Sequence, residues 1–317
     1  MRCMLILVFP CWQVFAGTMS LSVHVAGENA VPITNAVVKV SRVADPLGRF
    51  VDSPRKIRES NTVDRTGCWQ KKMNLHSASV FLHVSAPGYY PEDTNLHFRI
   101  KSDSALLGPQ FMDASASVPF VLRRMKNPIP MYSYGTIHGL RFPARSGRFG
   151  MDLKTGDWVK PHGAGETADF FVDVPPGDSA KPDSADVVFQ GCGEGFYRAH
   201  KHPSRSFWSV YCVDTNALFS TRLHLRDLDD FSPVPPGEGV SKDEYLVLRT
   251  RVGVDEEGRI VEANYSKIYG PMGTQDGRFF FFSSVFNPTA NDTNLEFDPN
   301  QNLIPRSKKR HMCRFVP

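Results

Sequence analysis

No stretch of this 317-residue chain reaches the roughly 20 consecutive apolar residues of a membrane-spanning helix. Convincing 3.6-residue periodicity is missing before residue 125, so an amphipathic helix has no place in the first third. None of the ten histidines has Glu at the third following position, and His-Glu-x-x-His is absent. Zinc peptidase chemistry needs three protein ligands and an open position, and these patterns are its usual source. A Gly-x-Ser-x-Gly elbow and a Gly-x-x-x-x-Gly-Lys loop are also missing. The cysteines lack Cys-x-x-Cys spacing, which argues against structural zinc. A formal net charge of +4 is too mild to demand nucleic acid. The expectation is no metal, no cofactor and no nucleic-acid partner.

What is present is globular: 41% hydrophobic and 22% charged residues, enough for real cores in two ordinary domains. The N-terminus reads MRCMLILVFPCWQVFAGTMS. Arg2 precedes an apolar run from Cys3 to Phe15, and Val14-Phe15-Ala16 offers a cleavage site. Residues 1–16 therefore read as a secretory signal peptide, too short to span a membrane, with the alternative of a buried first strand. The mature chain would keep Cys68, Cys192, Cys212 and Cys313, which allow three pairings. Cys192 follows DVVFQ and Cys212 lies in FWSVYCV. An antiparallel return of those segments would join Cys192 to Cys212, and buried free thiols are the alternative.

From Leu21 onward the pattern has period two. Leu21, Val23 and Val25 share a face, as do Ala36, Val38 and Val40, then Val80, Leu82 and Val84. VPFVLRRM ends a further strand. Short strands with turns every ten or so residues indicate a sandwich. Pro32-Ile33-Thr34-Asn35-Ala36 shapes a turn into a strand, and Gly67, at the end of Thr62-Val63-Asp64-Arg65-Thr66-Gly67, supplies a positive φ. In this order, with Gly88-Tyr89 closing the series, residues 20–124 resemble the carboxypeptidase regulatory-like domain. That resemblance implies a prealbumin-like β-sandwich of about seven strands, a module that usually accompanies a peptidase. The basic excursion VADPLGRFVDSPRKIRESN between Val43 and Asn61 departs from the family and is expected to be a loop.

RRMKNPIPMYSYG reads as the linker. Pro128 and Pro130 should oppose ladder hydrogen bonds and favour an extended strut. The expected organisation is thus a signal peptide (1–16), an Ig/prealbumin-like sandwich (17–125) and a second β-rich domain (126–317), all-β throughout. The second half is similar to a loose group of uncharacterised exported bacterial proteins, a likeness that implies no activity. Lys154-Thr155-Gly156 and Asp255-Glu256-Glu257-Gly258 mark hairpin turns there.

Chemical candidates come from the second half. GCGEGF, residues 191–196, has three glycines that could cradle an anion, but fits a tight turn better. His200 and His202 stand near Glu194 and could present two imidazoles, although solvated histidines are commoner. Trp158 and Trp208 could form a sugar-stacking platform; their ordinary use is core filling. Trp158, Glu194, His200, His202 and Trp208 are the candidate ligand-binding residues. The preferred function is non-catalytic: binding or scaffolding in the cell envelope, with a glycan or envelope protein as partner. The alternative is a hydrolase of envelope polysaccharide or peptide, its acid and base among Asp152, Asp157, Glu194, Asp227, Asp229 and Asp230. The location implied is exported: periplasmic, cell-surface or extracellular.

Export has a direct check. Protein isolated from its native host should begin near Gly17 by N-terminal sequencing, and an intact Met1 on the soluble protein would contradict it.

Overall fold

A computed structural model of the chain describes residues 17–44, 55–75, 79–98, 100–104, 108–135, 139–176, 184–200, 209–226, 238–241 and 243–304. The protein is all-β: the described residues form 21 strands and no helix. The chain divides into two compact units, Met1–Met125 and Lys126–Pro317. The signal-peptide segment 1–16 lies outside the described residues.

The first unit holds β1 (Gly17–Gly27), β2 (Val37–Ala44), β3 (Arg55–Thr62), β4 (Cys68–Leu75), β5 (Ser79–Ser85), β6 (Glu92–His97), β7 (Ile100–Ser104), β8 (Gly108–Phe111) and β9 (Ala114–Leu122). One sheet runs β4-β1-β9, with β1 antiparallel to β4 and parallel to β9. The other runs β3-β2-β5-β6, antiparallel throughout. β7 and β8 form a separate hairpin. Because strand side chains alternate, Met19, Leu21, Val23 and Val25 meet Val38, Val40, Val80, Leu82 and Val84 in one core. Gly67 has φ 72°, and a Cβ there would lie 2.5 Å from the Val25 carbonyl oxygen. Only glycine fits that approach.

Part of the expected basic loop is instead strand. Arg55–Thr62 pairs residue for residue with β2, from Val37↔Thr62 to Ala44↔Arg55. A charged strand at the sheet's edge is a natural place for RKIRESNT, because charge there discourages pairing with other chains.

The second unit holds β10 (Ile129–Gly135), β11 (Leu140–Arg141), β12 (Gly147–Asp152), β13 (Asp157–Trp158), β14 (Phe170–Val174), β15 (Ser184–Val188), β16 (Gly195–His200), β17 (Arg222–Arg226), β18 (Glu244–Val254), β19 (Ile260–Gln275), β20 (Phe279–Phe286) and β21 (Phe297–Asn302). Its larger sheet runs β16-β18-β19-β20-β10-β21, with β11 also on β20; its smaller sheet runs β13-β12-β14-β15-β17. Met151, Phe170, Val172 and Leu225 of the smaller sheet pack with Leu246, Ile268, Phe280 and Phe282 of the larger. The far face of the larger sheet carries a second core around Tyr245, Val247, Tyr265 and Val285.

Two expectations change here. The proline-rich linker is not a free strut, because Ile129–Gly135 is an inner strand of the larger sheet. The missing N–H of Pro130 falls where the β10–β21 register shifts between Ile129 and Met131, so no ladder bond is lost. FWSVYCV does not form a strand over Ser209–Val213. Cys212 makes only an isolated bridge to Asn294.

The first unit has its own closed core, so residues 17–125 expressed alone should show dispersed amide resonances and one cooperative melting transition. A fragment without cooperative melting would show that its core needs the rest of the chain.

Candidate binding face

Of the sequence-derived candidates, Trp158, Glu194 and His200 lie among the described residues. Trp158 is buried, its indole Nε1 donating to the Arg141 carbonyl at 2.8 Å. Its ring stacks on Phe142 and Phe280, with centroids 5.7 and 5.9 Å away, so it fills core and cannot carry a sugar. Glu194 closes its own turn. Its Oε2 accepts from the Gly191 amide at 2.9 Å, while Gly193 takes φ 76°. GCGEGF is therefore a tight turn whose acidic residue already occupies an amide that an anion would need. His200 is exposed at the end of β16, opposite Glu244. His202, Trp208, Asp227, Asp229 and Asp230 lie outside the described residues.

The expected disulfide is also corrected. Cys192 and Cys212 are exposed free thiols. Cys192 sits in the turn before β16, and β16 pairs with β18, while Cys212 bridges Asn294. The antiparallel return that would have joined them is not formed.

Asp152 and Asp157, candidates for paired acid and base, are turned onto backbone. Asp157 accepts from the amides of Trp158 and Ala164, both at 2.9 Å. Asp152 accepts from Lys154 N at 2.9 Å and Glu166 N at 3.0 Å. It also meets Arg251 Nη2 at 2.8 Å. The partner that the sequence did not reveal is Asp169, immediately before β14 and fully buried. Its Oδ1 accepts from Arg251 Nε at 2.8 Å and Thr250 Oγ1 at 2.9 Å; its Oδ2 accepts from Leu153 N at 2.7 Å and Arg251 Nη2 at 3.0 Å. Burial pushes the Asp169 carboxyl up, while Arg251, the Leu153 amide and the Thr250 hydroxyl pull it down. Arg251 reaches both carboxylates because it stands at φ 53° where the β18–β19 register shifts between Thr250 and Gly253. A bulge of this kind re-aims a side chain.

Lys267 is a second buried charge. It lies mid-β19 between Val247 and Val285, with Tyr265 and Tyr269 on the same face. Its Nζ donates to Ser209 Oγ at 2.8 Å, and that oxygen lies 3.1 Å from the Tyr269 hydroxyl. The Tyr245 hydroxyl accepts from the Val210 amide at 3.0 Å. A serine beside a lysine is nucleophile-and-base geometry. Ser209 and Lys267 are both buried, however, and these contacts fasten the segment from Ser209 onto the sheet.

The accessible feature is on the first unit, on the outer face of β3-β2-β5-β6. Registers place Arg58, Ser41, Phe81 and Asn95 in one row across four strands, and Ser60, Lys39, His83 and Asp93 in the next. Phe81 is 42% exposed, a benzene ring among polar neighbours. Lys39, Ser41, Arg58, Ser60, Phe81 and His83 line an open groove of about 380 Å³. His83 Nδ1 lies 2.6 Å from Asp93 Oδ1, which fixes the imidazole beside the ring. The opposite sheet carries a groove of similar size, about 410 Å³, but its lining is mostly serine with Gln70, Lys71 and Lys72, and has no ring. The sequence held a signal for Phe81. In SVFLHVSA it occupies the polar phase, out of step with Val80, Leu82 and Val84.

Among the described residues no group of three or more His, Cys, Asp or Glu side chains could hold a metal ion. No helix there is long and apolar enough to cross a membrane.

No protein-family model and no curated protein matches the chain. Solved structures show partial likenesses. With a 3-chlorocatechol 1,2-dioxygenase from Rhodococcus opacus 1CP the identity is 13% and the TM-score 0.27, over 35% of this chain and 61% of that one. With the shaft pilin SpaA from Lactobacillus rhamnosus GG they are 13% and 0.22, over 57% and 90%. A Bacteroides fragilis NCTC 9343 protein of unknown function, described as membrane-associated, gives 12% and 0.22 over 87% and 99%. Likenesses at these scores carry nothing over to this chain. What the structure itself shows is an all-β protein built of sandwich-like sheets.

Replacing Asp169 by Ala tests the buried cluster. It leaves Arg251, one-fifth exposed, with Asp152 alone and strips the Thr250 hydroxyl and Leu153 amide of their acceptor, which should cost about 2–4 kcal/mol. Urea unfolding should show a lower midpoint with an unchanged slope. A loss below about 1 kcal/mol would mean that the guanidinium is solvated without its partner.

Proposed function

We propose that this chain is an exported, non-catalytic binding or scaffolding protein of the cell envelope, and that it engages glycan through the outer face of β3-β2-β5-β6. The observation that carries the reading is the exposed Phe81 ring, set in a groove edged by Lys39, Ser41, Arg58, Ser60 and His83. A ring offers a flat apolar surface to the C–H face of a pyranose, and convergent polar side chains around it can meet the hydroxyls. A rigid four-stranded sheet holds these groups at fixed spacing without loop ordering, which lowers the cost of binding.

The non-catalytic half of the proposal is supported by the carboxylates. Asp152, Asp157 and Glu194 spend their oxygens on backbone amides and, for Asp152, on Arg251. The finer family assignment, to the carboxypeptidase regulatory-like domain, belongs to the same proposal. It is supported by the seven strands β1 to β6 and β9 in two facing sheets around one core. Such a module without its peptidase is suited to holding a polymer or a neighbouring protein.

Phe81→Ala should weaken co-sedimentation with insoluble cell-wall polysaccharide by about 1–2 kcal/mol, or about 5–30-fold in affinity. The melting temperature should stay near the native value, because the ring is largely outside the core. Equal sedimentation of variant and native protein would remove the face from consideration.

A further inference from the structure

The groove has a sign of charge. Lys39 and Arg58 share the groove with Phe81 from its β2–β3 side, and neither takes part in a salt bridge among the described residues. Among the described residues nearby, Glu59 pairs with Lys71 of the opposite sheet, and Asp93 is held against His83. Beside the aromatic ring the described residues therefore present two cations with no salt-bridge partner. From this geometry we propose that the occupant is an acidic polysaccharide whose carboxylates are carried on the sugar ring itself, a uronate-type polymer. This rests on the reading that the Phe81 face binds glycan, and it adds the chemical class.

The spacing supports a ring-borne charge. Arg58 and Phe81 are separated by β2 alone, with Ser41 between them in the same row. Two strand spacings put their backbones about 10 Å apart, and the Arg58 side chain can lean back across Ser41. A sugar stacked on Phe81 would then hold its ring carboxylate within reach of the guanidinium. The guanidinium fork matches a carboxylate in a bidentate pair. Lys39, diagonal to Phe81 in the next row, meets a second charge along the polymer as a mobile point charge. Ser41 and Ser60, between the cations, are short enough to leave room for the chain and can donate to its hydroxyls. The serine-lined groove on the other sheet has two lysines, Lys71 and Lys72, but no ring, so it lacks the pairing of stack and charge.

The full chain can be tested with three soluble polymers at low salt: polygalacturonate, dextran and polyglutamate. The native protein should bind polygalacturonate at least about tenfold more tightly than either of the others. That preference should shrink as salt approaches about 0.5 M, because the cations are exposed. The double variant Lys39→Gln, Arg58→Gln should lose the preference for polygalacturonate over dextran, while Phe81→Ala should weaken binding to both sugars by about 5–30-fold. Both variants should melt like the native protein. Equal binding of dextran and polygalacturonate, both weakened by Phe81→Ala, would overturn the charge inference and leave the glycan-binding reading standing. Polyglutamate bound as tightly as polygalacturonate and insensitive to Phe81→Ala would reduce the face to an ion exchanger and overturn the proposal. No binding of polygalacturonate by the native protein would overturn it as well.

Discussion

The guanidinium of Arg251 joins the two sheets of the second unit, and the arrangement around it is a constraint of charge rather than of shape. Asp152 ends β12 and Asp169 leads into β14, both in the smaller sheet, while Arg251 belongs to β18 of the larger. Burying these groups is expensive, and their attraction repays the cost only when each lone pair and proton has a partner. Here the remaining carboxylate oxygens take the amides of Leu153, Lys154 and Glu166 and the hydroxyl of Thr250. The cluster therefore sets where β18 may lie against β12, since a slip of one residue would leave a buried ion alone. The aromatic core of Phe142, Phe149, Trp158 and Phe280 packs beside a frame fixed in this way.

The first unit solves its assembly by alternation alone. Its inward positions are mostly apolar, among them Met19, Leu21, Val38, Trp69 and Phe120, and its outward positions are mostly polar. That regularity is what makes Phe81 informative, because one ring on a polar face has no packing purpose inside the unit. The same rigidity that holds the core also fixes the rows of Arg58–Ser41–Phe81 and Lys39–His83.

Much of the first unit was legible in the sequence because period-two alternation and turn glycines are local signals. Alternation alone puts Leu21, Val23 and Val25 on one face, and Gly67 and Gly258 stand with positive φ at turns that their neighbouring residues mark. Arg55–Thr62 was not legible as strand, because its charged residues show no apolar face and its pairing is set by β2. Trp158 takes the ordinary role of such a ring and fills core, and that is decided by distant partners such as Phe280 rather than by its own neighbours in sequence. Asp169 and Arg251 left no mark at all. They lie 82 positions apart, and an arginine in the left-handed region has no sequence signature. Phe81 was visible as a residue out of phase, but a core-filling reading of rings passes over that sign.

The parallel pairing of β1 with β9 has a consequence for the order in which the chain can be completed. β1 is the middle strand of its sheet, and it needs a partner that lies at the far end of the unit. Thr18 donates to the Asp113 carboxylate through both its amide and its hydroxyl, across 95 positions of sequence. A chain that grows from its amino end must leave the β9-facing backbone edge of β1, from Met19 to Gly27, unpaired until residues 114–122 arrive. At a synthesis rate of about 5–20 residues per second, that wait lasts several seconds to tens of seconds. The opening strand of this unit is thus among the last to gain its second neighbour, and in that interval its free edge is open to pairing with other chains.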